Sequence, residues 1–362
     1  VMDGIGIRED KKNNAVALAN KPTLDKLWAE CPHTQLRAHG LAVGLPTDSD
    51  MGNSEVGHNA LGCGQIYSQG AKLVNENIES GEIFNSKTWK DLAENAKGNK
   101  MHFIGLLSDG NVHSNISHLK ALIKESKNEG IKEVRVHALL DGRDVPATSA
   151  LEYVNDIESF MAELNDDNFH ACIASGGGRM QITMDRYEAD WSMVERGWHI
   201  HVMGDGRKFA SCKEAIETYR AEGNYTDQYL PGFVIADGET PVGTIDDGDS
   251  VILYNFRGDR AVEFSKCFDD MDTFDKFDMV KKPKVYYAGM LQYDGDLKLP
   301  KNFLVEPPHI EHTMSEFLVE KGVHSYAVSE TQKFGHMTYF WNGNRSEKFS
   351  DELEVWEEVP SD

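Results

Sequence analysis

The sequence predicts an α/β protein built on a doubly wound, parallel sheet. Apolar runs at 101–107, 133–140 and 170–174 each end in glycine or polar residues, and stretches with helical spacing lie between them. Strands that alternate with helices in this way are typical of parallel sheets covered by helices. A length of 362 residues also allows about two domains.

The elements of this sheet follow from the hydrophobic pattern. After the first strand, apolar residues from Ile116 to Ile123 recur at helical spacing, and after the second strand the same spacing predicts a helix over 148–164. The third strand, 170–174, is expected to end in the glycine run 176–178, and a further strand is predicted over 251–256.

Composition and charge exclude several classes of protein. With 40% hydrophobic and 27% charged residues the sequence is ordinary for a globular protein, and a net charge of −23 disfavours nucleic acid and anionic membranes as partners. No apolar run approaches the roughly 18 residues of a membrane helix. No signal segment opens the sequence, so the cytoplasm is the expected location. No CxxC pair occurs, so the five cysteines are predicted to be reduced thiols. They are Cys31, Cys63, Cys172, Cys212 and Cys267.

The two ends of the sequence differ from the rest. Val1-Met2-Asp3-Gly4 has the pattern of the last residues of a strand, and we expect the beginning of that strand to be missing. The residues from 346 to Asp362 are strongly acidic, which is interpreted either as a charged tail or as a domain that is interrupted. The motifs described below favour the interruption.

Polar side chains follow the predicted strands. His113, Arg143, Asp144 and Arg179 each come just after an apolar run. Because the carboxyl ends of parallel strands share one edge, where ligands bind, these side chains are expected to lie together. His113 is a candidate phosphate contact or proton donor.

Ser54 is the candidate acceptor of a phosphoryl group. Its segment, Asp50-Met51-Gly52-Asn53-Ser54-Glu55-Val56-Gly57-His58, departs by one position from the G-x-S-x-G pattern of serine hydrolases. Helix-compatible residues after Ser54 allow a helix N-terminus, where free N–H groups and the helix dipole bind an anion. The spacing alone favours a plain turn.

Two further patterns are compatible with phosphate chemistry. Asp3, at a strand end beside Gly4, is a candidate metal ligand, and an Asp-Gly turn is the alternative. Cations gathered at strand ends would bind a small substrate that carries both phosphate and carboxylate, although any one of them alone is explained by a surface salt bridge. These cations are Arg143, Arg179, Arg186, Arg257, Arg260 and Lys333.

Several short strings occur in a fixed order along nearly the whole chain. They are Met2-Asp3-Gly4, Gly52-Asn53-Ser54-Glu55-Val56-Gly57-His58, Leu107-Ser108-Asp109-Gly110-Asn111-Val112-His113-Ser114, Leu140-Asp141-Gly142-Arg143-Asp144, Gly178-Arg179 with Met184-Asp185-Arg186, Asn255-Phe256-Arg257-Gly258-Asp259-Arg260 and Ser329-Glu330-Thr331-Gln332-Lys333. In this order they closely resemble the cofactor-independent phosphoglycerate mutases of the alkaline phosphatase superfamily.

The resemblance implies a phosphatase-like domain at about 1–68 and 306–362, interrupted by a transferase domain at about 69–305, with hinges near Gly70 and Pro307-Pro308. It implies two divalent metal ions, usually manganese, with magnesium or cobalt as alternatives, and Asp3 and Ser54 among the ligands. The implied partner is a small phosphoglycerate, bound by a monomer. The implied substrate contacts are His113, Arg143, Asp144, Arg179, Arg186, Arg257, Arg260 and Lys333.

The resemblance also implies a reaction. Ser54 takes the phosphoryl group of 3-phosphoglycerate, the glycerate turns while bound, and its 2-hydroxyl, deprotonated by Asp144, attacks the phosphoserine. Lys333 and His113 neutralise or protonate oxygens, and closure of the domains excludes water.

One departure from the family leaves other functions open. The family's remaining metal ligands follow the lysine matched by Lys333, and this sequence stops before them. We therefore expect an inactive fragment as the chain stands. The alternatives are a metal-dependent phosphomonoesterase or phosphopentomutase-like relative, and a non-catalytic protein that keeps the glycerate site without the metals.

Overall fold

The computed structural model describes residues 5, 7–68, 70–186, 188–295, 297–308 and 310–360. Contacts divide the chain into two compact units. Unit 1 contains the residues up to Tyr67 and those from Glu311 onward, and unit 2 is Ser68–Ile310. By contacts, unit 2 therefore ends at Ile310.

The secondary structure mixes helices and strands along the chain. The helices are α1 (Ala15–Leu18), α2 (Pro22–Glu30), α3 (Ser54–Cys63), α4 (Gly70–Ser80), α5 (Glu82–Asn85), α6 (Lys87–Ala96), α7 (Ile116–Asn128), α8 (Ala150–Leu164), α9 (Trp191–Trp198), α10 (Cys212–Glu222), α11 (Val262–Asp269), α12 (Met314–Glu320) and α13 (Thr331–Gly335). The strands are β1 (Lys100–Leu106), β2 (Glu133–Leu140), β3 (His170–Gly178), β4 (Arg207–Phe209), β5 (Phe233–Asp237), β6 (Thr240–Pro241), β7 (Ser250–Leu253), β8 (Tyr286–Gly289), β9 (Ser325–Glu330) and β10 (Glu354–Val359).

One large sheet organises unit 2. Among the described residues it has the strand order β4-β5-β3-β2-β1-β7-β8, and β6 pairs with β5. The pairs from β3 through β2, β1 and β7 to β8 are parallel, which confirms the predicted α/β class. Strand β5 runs antiparallel to β3, a reversal that the sequence pattern does not predict.

Side chains of the central strands enter two hydrophobic cores, one on each face of this sheet. Phe103 of β1 packs in a core with residues of α6, α7 and α8, whereas its neighbour Ile104 packs with Trp198 and Phe264 of α9 and α11. Successive strand side chains point to opposite faces, so helices cover both faces. Both faces being buried explains why these strands are nearly continuous apolar runs.

The third strand is longer than the sequence predicts. It continues through the glycines at 176–178, which were expected to form a loop. A Cβ on Gly176 would lie 2.6 Å from the Phe233 ring, and one on Gly178 would lie 2.4 Å from the Gln228 carbonyl oxygen. These glycines therefore permit a close approach of neighbouring chain within a strand rather than a turn.

The fourth predicted strand is shorter than expected. It ends at Leu253, because Phe256 N–H donates to the carbonyl of His113 (2.8 Å) outside the sheet. The side chain of Asn255 bonds Leu106 N instead (2.9 Å). This departure carries the chain from β7 to the residues that follow β1.

Unit 1 contains the two-stranded parallel sheet of β9 and β10 and a small core of Val43, Leu45 and Val56. Helix α3 lies against the π-helical turn His336–Phe340, which follows α13 directly. A Cβ on Gly62 would lie 2.0 Å from the Trp341 carbonyl oxygen, so the glycine allows this close contact. The end of α3 is thereby held close to the residue that follows this turn.

The helices and the cysteines bear on membrane insertion and on disulfide formation. In the described ranges, none of the helices is both long and apolar enough to cross a membrane. All five cysteines are free thiols, as predicted; Cys63, Cys212 and Cys267 are buried, whereas Cys31 is exposed.

The core of unit 2 provides a stability test. Leu122 of α7 is fully buried, whereas Leu297 is 54% exposed. We expect Leu122→Ala to lower the free energy of unfolding by about 2–5 kcal/mol, because it removes buried methyl groups and leaves a cavity. Leu297→Ala, the matched control, should change it by less than about 0.5 kcal/mol. Denaturant unfolding measures both, and equal effects would contradict the assignment of this core.

Candidate active site

Ser54 is the first residue of α3, so its segment begins a helix rather than a plain turn. Asn53 is the N-cap in an extended conformation, and its side-chain oxygen accepts from Val56 N (3.1 Å). Asparagine is among the preferred N-caps because it satisfies one of the free amides of the first turn. The serine hydroxyl therefore stands at the positive end of the helix dipole.

Lys333 of α13 reaches this hydroxyl. Its ammonium Nζ donates to Ser54 Oγ at 2.8 Å, and both side chains are partly buried. An ammonium can only donate, so the serine oxygen is the acceptor. A positive charge this close favours negative charge on that oxygen. Ser54 and Lys333 are called the acceptor pair below.

His58 has a structural role one turn along α3. Its Nδ1 lies 2.7 Å from the Ser54 carbonyl oxygen, and the ring packs edge-on against His336 with centroids 5.3 Å apart. A carbonyl can only accept, so Nδ1 carries the proton. His58 thereby stabilises the first turn that presents the serine.

In unit 2, a buried carboxylate connects the ends of three neighbouring strands. Asp141, just after β2, accepts from Ser108 Oγ (2.6 Å), which follows β1, and from Arg179 Nη1 (2.9 Å), which follows β3. It also accepts from the backbone amides of Arg143 and Asp144, both at 3.1 Å. These bonds fix the shared edge at which the sequence places the candidate residues.

The predicted arginines lie around His113. We call Arg143, Arg179, Arg186, Arg257 and Arg260 the arginine cluster. Burial, followed by the charges of four of its members, holds the pKa of His113 well below its usual range. These members, in order of effect, are Arg179, Arg257, Arg260 and Arg143. The ring is therefore neutral near pH 7: it can donate one N–H to an anion but contributes no charge.

Carboxylates accompany the arginine cluster. Asp144 Oδ2 accepts from Arg179 Nη1 at 2.5 Å, and Asp259 accepts from Arg257 Nε at 3.0 Å and lies 3.7 Å from Arg186 Nη1. Arg260 donates to the carbonyl of Met184 (2.6 Å), and burial lowers its pKa to about 10, which leaves it charged. The cluster is thus held in place before any ligand binds.

The structure brings the predicted residues together within each unit, as the acceptor pair in unit 1 and as the arginine cluster with His113 and Asp144 in unit 2. Asp3, the predicted metal ligand, lies outside the described residues. Over the described ranges, no group of three or more His, Cys, Asp or Glu side chains could hold a metal ion. Divalent ions take about four to eight ligands, so these residues alone do not form the expected metal sites.

Sequence reasoning missed three residues that organise the cluster. Asp141, Asn255 and Asp259 occur in the strings above, but none of them is predicted as a site residue. Asp141 directly follows β2 and Asn255 lies two residues past β7, which is the signal that selected Arg179, so the same rule applied to every polar residue would have included these two. Asp259 lies six residues past β7 and carries no such signal.

The fold and these anion-binding groups define an α/β protein of phosphoryl chemistry, and known proteins specify it further. The family described as "BPG-independent PGAM N-terminus (iPGM_N)" matches residues 74–295. A "Probable 2,3-bisphosphoglycerate-independent phosphoglycerate mutase" of Leptospira interrogans is 55% identical over 367 residues, covering 100% of this chain and 67% of that protein. The 2,3-bisphosphoglycerate-independent phosphoglycerate mutase of Trypanosoma brucei brucei is 53% identical, covering 100% and 66%.

A solved structure agrees with these relatives. Leishmania mexicana phosphoglycerate mutase, crystallised at low cobalt concentration, matches with a TM-score of 0.92 and 51% identity, covering 100% of this chain and 67% of that one. The chain belongs to the family of 2,3-bisphosphoglycerate-independent phosphoglycerate mutases, and spans about two thirds of the length of these relatives. The expected resemblance, fold and isomerase function are confirmed, and the phosphomonoesterase alternative is disfavoured.

A buried carboxyl beside the arginine cluster predicts a pH dependence. Glu263 of α11 is 4% exposed and accepts from Glu188 N (2.9 Å), and burial raises its pKa from 4.5 to about 7. The folded protein then keeps a proton that the unfolded chain has lost, so stability falls as the pH rises from about 4.5 to about 7. Glu263→Gln removes the titrating group and keeps the shape of the side chain.

We therefore expect Glu263→Gln to gain stability relative to the parent as the pH rises from 5 to 8, by on the order of 3 kcal/mol. Urea unfolding of both proteins at each pH measures the difference. A difference that is constant over this range would show that Glu263 does not titrate there.

Proposed function

We propose that the chain carries the phosphoryl acceptor, Ser54, and the substrate-binding groups of an enzyme that interconverts 3-phosphoglycerate and 2-phosphoglycerate through a phosphoserine, and that turnover also requires metal ligands which the described residues do not complete. The observation that carries this proposal is the hydrogen bond from Lys333 Nζ to Ser54 Oγ at the N-terminus of α3. The helix terminus and the ammonium both stabilise negative charge on this oxygen, first as it attacks phosphorus and then as it bears the phosphoryl group.

The arginine cluster supports the binding of a substrate that is an anion at both ends. A phosphate monoester carries about −2 charges near neutral pH, and glycerate adds a carboxylate. Guanidinium groups bind both kinds of anion bidentately. Arg143 is exposed, so it would be the first to turn toward a ligand.

The proposed reaction has two transfers. First, Ser54 Oγ forms a bond to phosphorus while the bond from phosphorus to the 3-oxygen breaks, and the proton lost by the serine hydroxyl ends on the 3-oxygen. Asp144 then takes the proton of the 2-hydroxyl, the 2-oxygen bonds phosphorus, and the bond from phosphorus to Ser54 Oγ breaks, after which the proton held by Asp144 returns to the serine oxygen. His113, whose ring is neutral, would donate its N–H and so stabilise negative charge on a substrate oxygen. Lys333 would neutralise the charge on the serine oxygen in both steps.

The contact between Asp144 and Arg179 bears on the second transfer. We propose that the carboxylate of glycerate competes with Asp144 for Arg179 Nη1, so that Asp144 is released to accept the proton of the 2-hydroxyl only when substrate is bound.

The division of the chain supports the organisation proposed from the resemblance. Unit 1 would be the phosphatase-like domain with the acceptor pair, and unit 2 the transferase domain with the arginine cluster. The reaction requires both sets to act on the same substrate molecule. We propose a monomer acting in the cytoplasm, with this small molecule as its partner.

We also propose a requirement for two divalent ions, manganese first and magnesium or cobalt as substitutes, by likeness to the Leishmania enzyme crystallised with cobalt. Ser54 and Asp3 would be two of the ligands. Because the described residues do not complete such a site, no step above is routed through a metal.

The phosphoserine is tested by Ser54→Ala. We expect complete loss of mutase turnover, because the phosphoryl acceptor is removed, while Asn53 still caps α3 and the fold is kept. A coupled enolase assay without 2,3-bisphosphoglycerate measures turnover, and [32P]3-phosphoglycerate reports label on the protein. Ser49→Ala, at an exposed serine of the same unit, is the control. Turnover or protein-bound label that persists in Ser54→Ala would refute the phosphoserine.

The binding of substrate by the arginine cluster is tested by Arg257→Ala. We expect the binding free energy of 3-phosphoglycerate to weaken by about 1.5–3 kcal/mol, the value of a hydrogen bond to a charged group. Isothermal titration calorimetry gives the Kd. Arg207→Ala, which removes an exposed arginine of unit 2 paired with Glu222, should leave the Kd unchanged. An unchanged Kd in Arg257→Ala would show that Arg257 does not bind the substrate.

A further inference from the structure

A continuous row of hydrogen-bonded side chains crosses the interior of the unit 2 sheet. We call it the histidine chain. Its members, each no more than 2% exposed, are Thr183, His201, Ser175, His137, His102 and Asp249. The successive distances are 3.0 Å from Thr183 Oγ1 to His201 Nε2, 2.7 Å from His201 Nδ1 to Ser175 Oγ, 2.7 Å from Ser175 Oγ to His137 Nδ1, 2.9 Å from His137 Nε2 to His102 Nδ1 and 3.0 Å from His102 Nε2 to Asp249 Oδ2.

The carboxylate at one end fixes the direction of every bond. Asp249 can only accept, so His102 Nε2 carries a proton and its Nδ1 must accept from His137 Nε2. The same logic makes Ser175 donate to His137, and His201 Nδ1 donate to Ser175. His201 Nε2 is then an acceptor, which assigns the Thr183 hydroxyl as donor. The geometry therefore assigns one tautomer to each ring.

The three rings are neutral. Burial is the main cause that lowers the pKa of His102, His137 and His201, the last to about 3. The charged groups that face them are Asp249, Lys100 and Arg135. Lys100 lies 3.3 Å from Asp249, so the charged end of the chain is itself paired. A neutral, fully bonded row can be buried without an uncompensated charge.

The backbone is irregular at three members of the histidine chain, namely His137, His201 and Thr183. The pairing of β2 with β3 shifts by one residue between Val136 and His137, so His137 stands opposite Ser175 instead of Ala174. Alanine could not continue the row, and the bulge supplies the hydroxyl. His201 lies in a π-helical turn, His199–Met203, and such turns are rare.

Thr183 is the third irregular position. Its φ is +69°, in the left-handed region that a β-branched residue rarely adopts and that is strained for it. A Cβ on Gly197 would lie 2.2 Å from Thr183 Oγ1, so the hydroxyl is closely enclosed. Its bond to His201, with that from its N–H to Met193 O (2.9 Å), holds this conformation.

The strained threonine lies inside the segment that carries two arginines of the cluster. Arg179 and Arg186 flank it, and the next residue, Met184, gives its carbonyl to Arg260 Nη1 (2.6 Å). The direction of the Met184 carbonyl is set by the backbone angles at Thr183 and Met184. The histidine chain therefore ends at the residue that determines where buried Arg260 is held.

We propose that the histidine chain is a positioning network for residues 179–186. Thr183, His201 and Ser175 are then positioning residues for the arginine cluster. The proposal rests on the proposed function insofar as the arginine cluster binds phosphoglycerate. Breaking the row leaves the arginines in the protein but frees Thr183 to relax, which displaces the Met184 carbonyl and Arg260.

Binding provides the first test, on the full chain. We expect Ser175→Ala and Thr183→Val, which remove one hydroxyl each, to raise the calorimetric Kd for 3-phosphoglycerate on the order of tenfold. Thr183→Ser, which restores the hydroxyl, and Ser126→Ala, which removes an equally buried hydroxyl of α7 outside the chain, should stay within about twofold. An equal Kd for Ser175→Ala and Ser126→Ala overturns the proposal.

Two ligand-free measurements separate this inference from the proposed function. Nitrogen-15 spectra of the parent chain should show Nε2–H tautomers for His102 and His137 and the Nδ1–H tautomer for His201; another pattern overturns the assigned row. Amide exchange should accelerate over 180–185 in Ser175→Ala and Thr183→Val but not in the controls. If the parent fails to bind 3-phosphoglycerate, the proposed function fails, and unchanged exchange in these variants would overturn the positioning role by itself.

Discussion

The arginine cluster depends on a buried ion pair between Asp141 and Arg179, both 2% exposed. Burying a charge is unfavourable unless its hydrogen-bonding capacity is satisfied. Asp141 meets this condition by accepting from Ser108, from two backbone amides and from Arg179, and so joins the segments that follow β1, β2 and β3. Removing its carboxylate would leave a buried guanidinium beside Asp144 alone, which explains why the arginine cluster requires this residue as well as the arginines.

The electrostatics of the cluster follow from the same constraint. The chain carries a net charge of −23, yet four arginines act on a buried histidine in unit 2, and Arg186, the fifth member of the cluster, acts on Arg260. Ion pairs with Asp141, Asp144 and Asp259 neutralise part of this positive charge before substrate binds. The arrangement favours a ligand with several negative charges, since only such a ligand competes with carboxylates already in place. His113 remains neutral in this field and contributes direction rather than charge.

The two polar layers of unit 2 serve one segment. The ion pairs lie at the carboxyl edge of the sheet, and the histidine chain crosses its interior, and residues 179–186 take part in both through Arg179 and Thr183. A sheet interior normally excludes polar groups, and here the bulge at His137 and the π-helical turn at His201 supply each group with a partner. Such irregularities are maintained only where the surrounding packing determines them, which links the rigidity of the core to the placement of Arg260.

The sequence by itself determined the α/β class, the parallel strands β1 to β3 and the arginines that follow strands, because hydrophobic period and strand ends are local signals. The tertiary structure decided the rest. Lys333 meets Ser54 across 279 residues, Asp141 pairs with Arg179, β5 runs antiparallel, and the glycines 176–178 stay in a strand because Phe233 and Gln228 leave no room for a Cβ. No local pattern records these contacts, since each depends on which distant segments share a core. The neutral state of His113 has the same origin, because only the folded chain brings burial and four guanidinium groups to one ring.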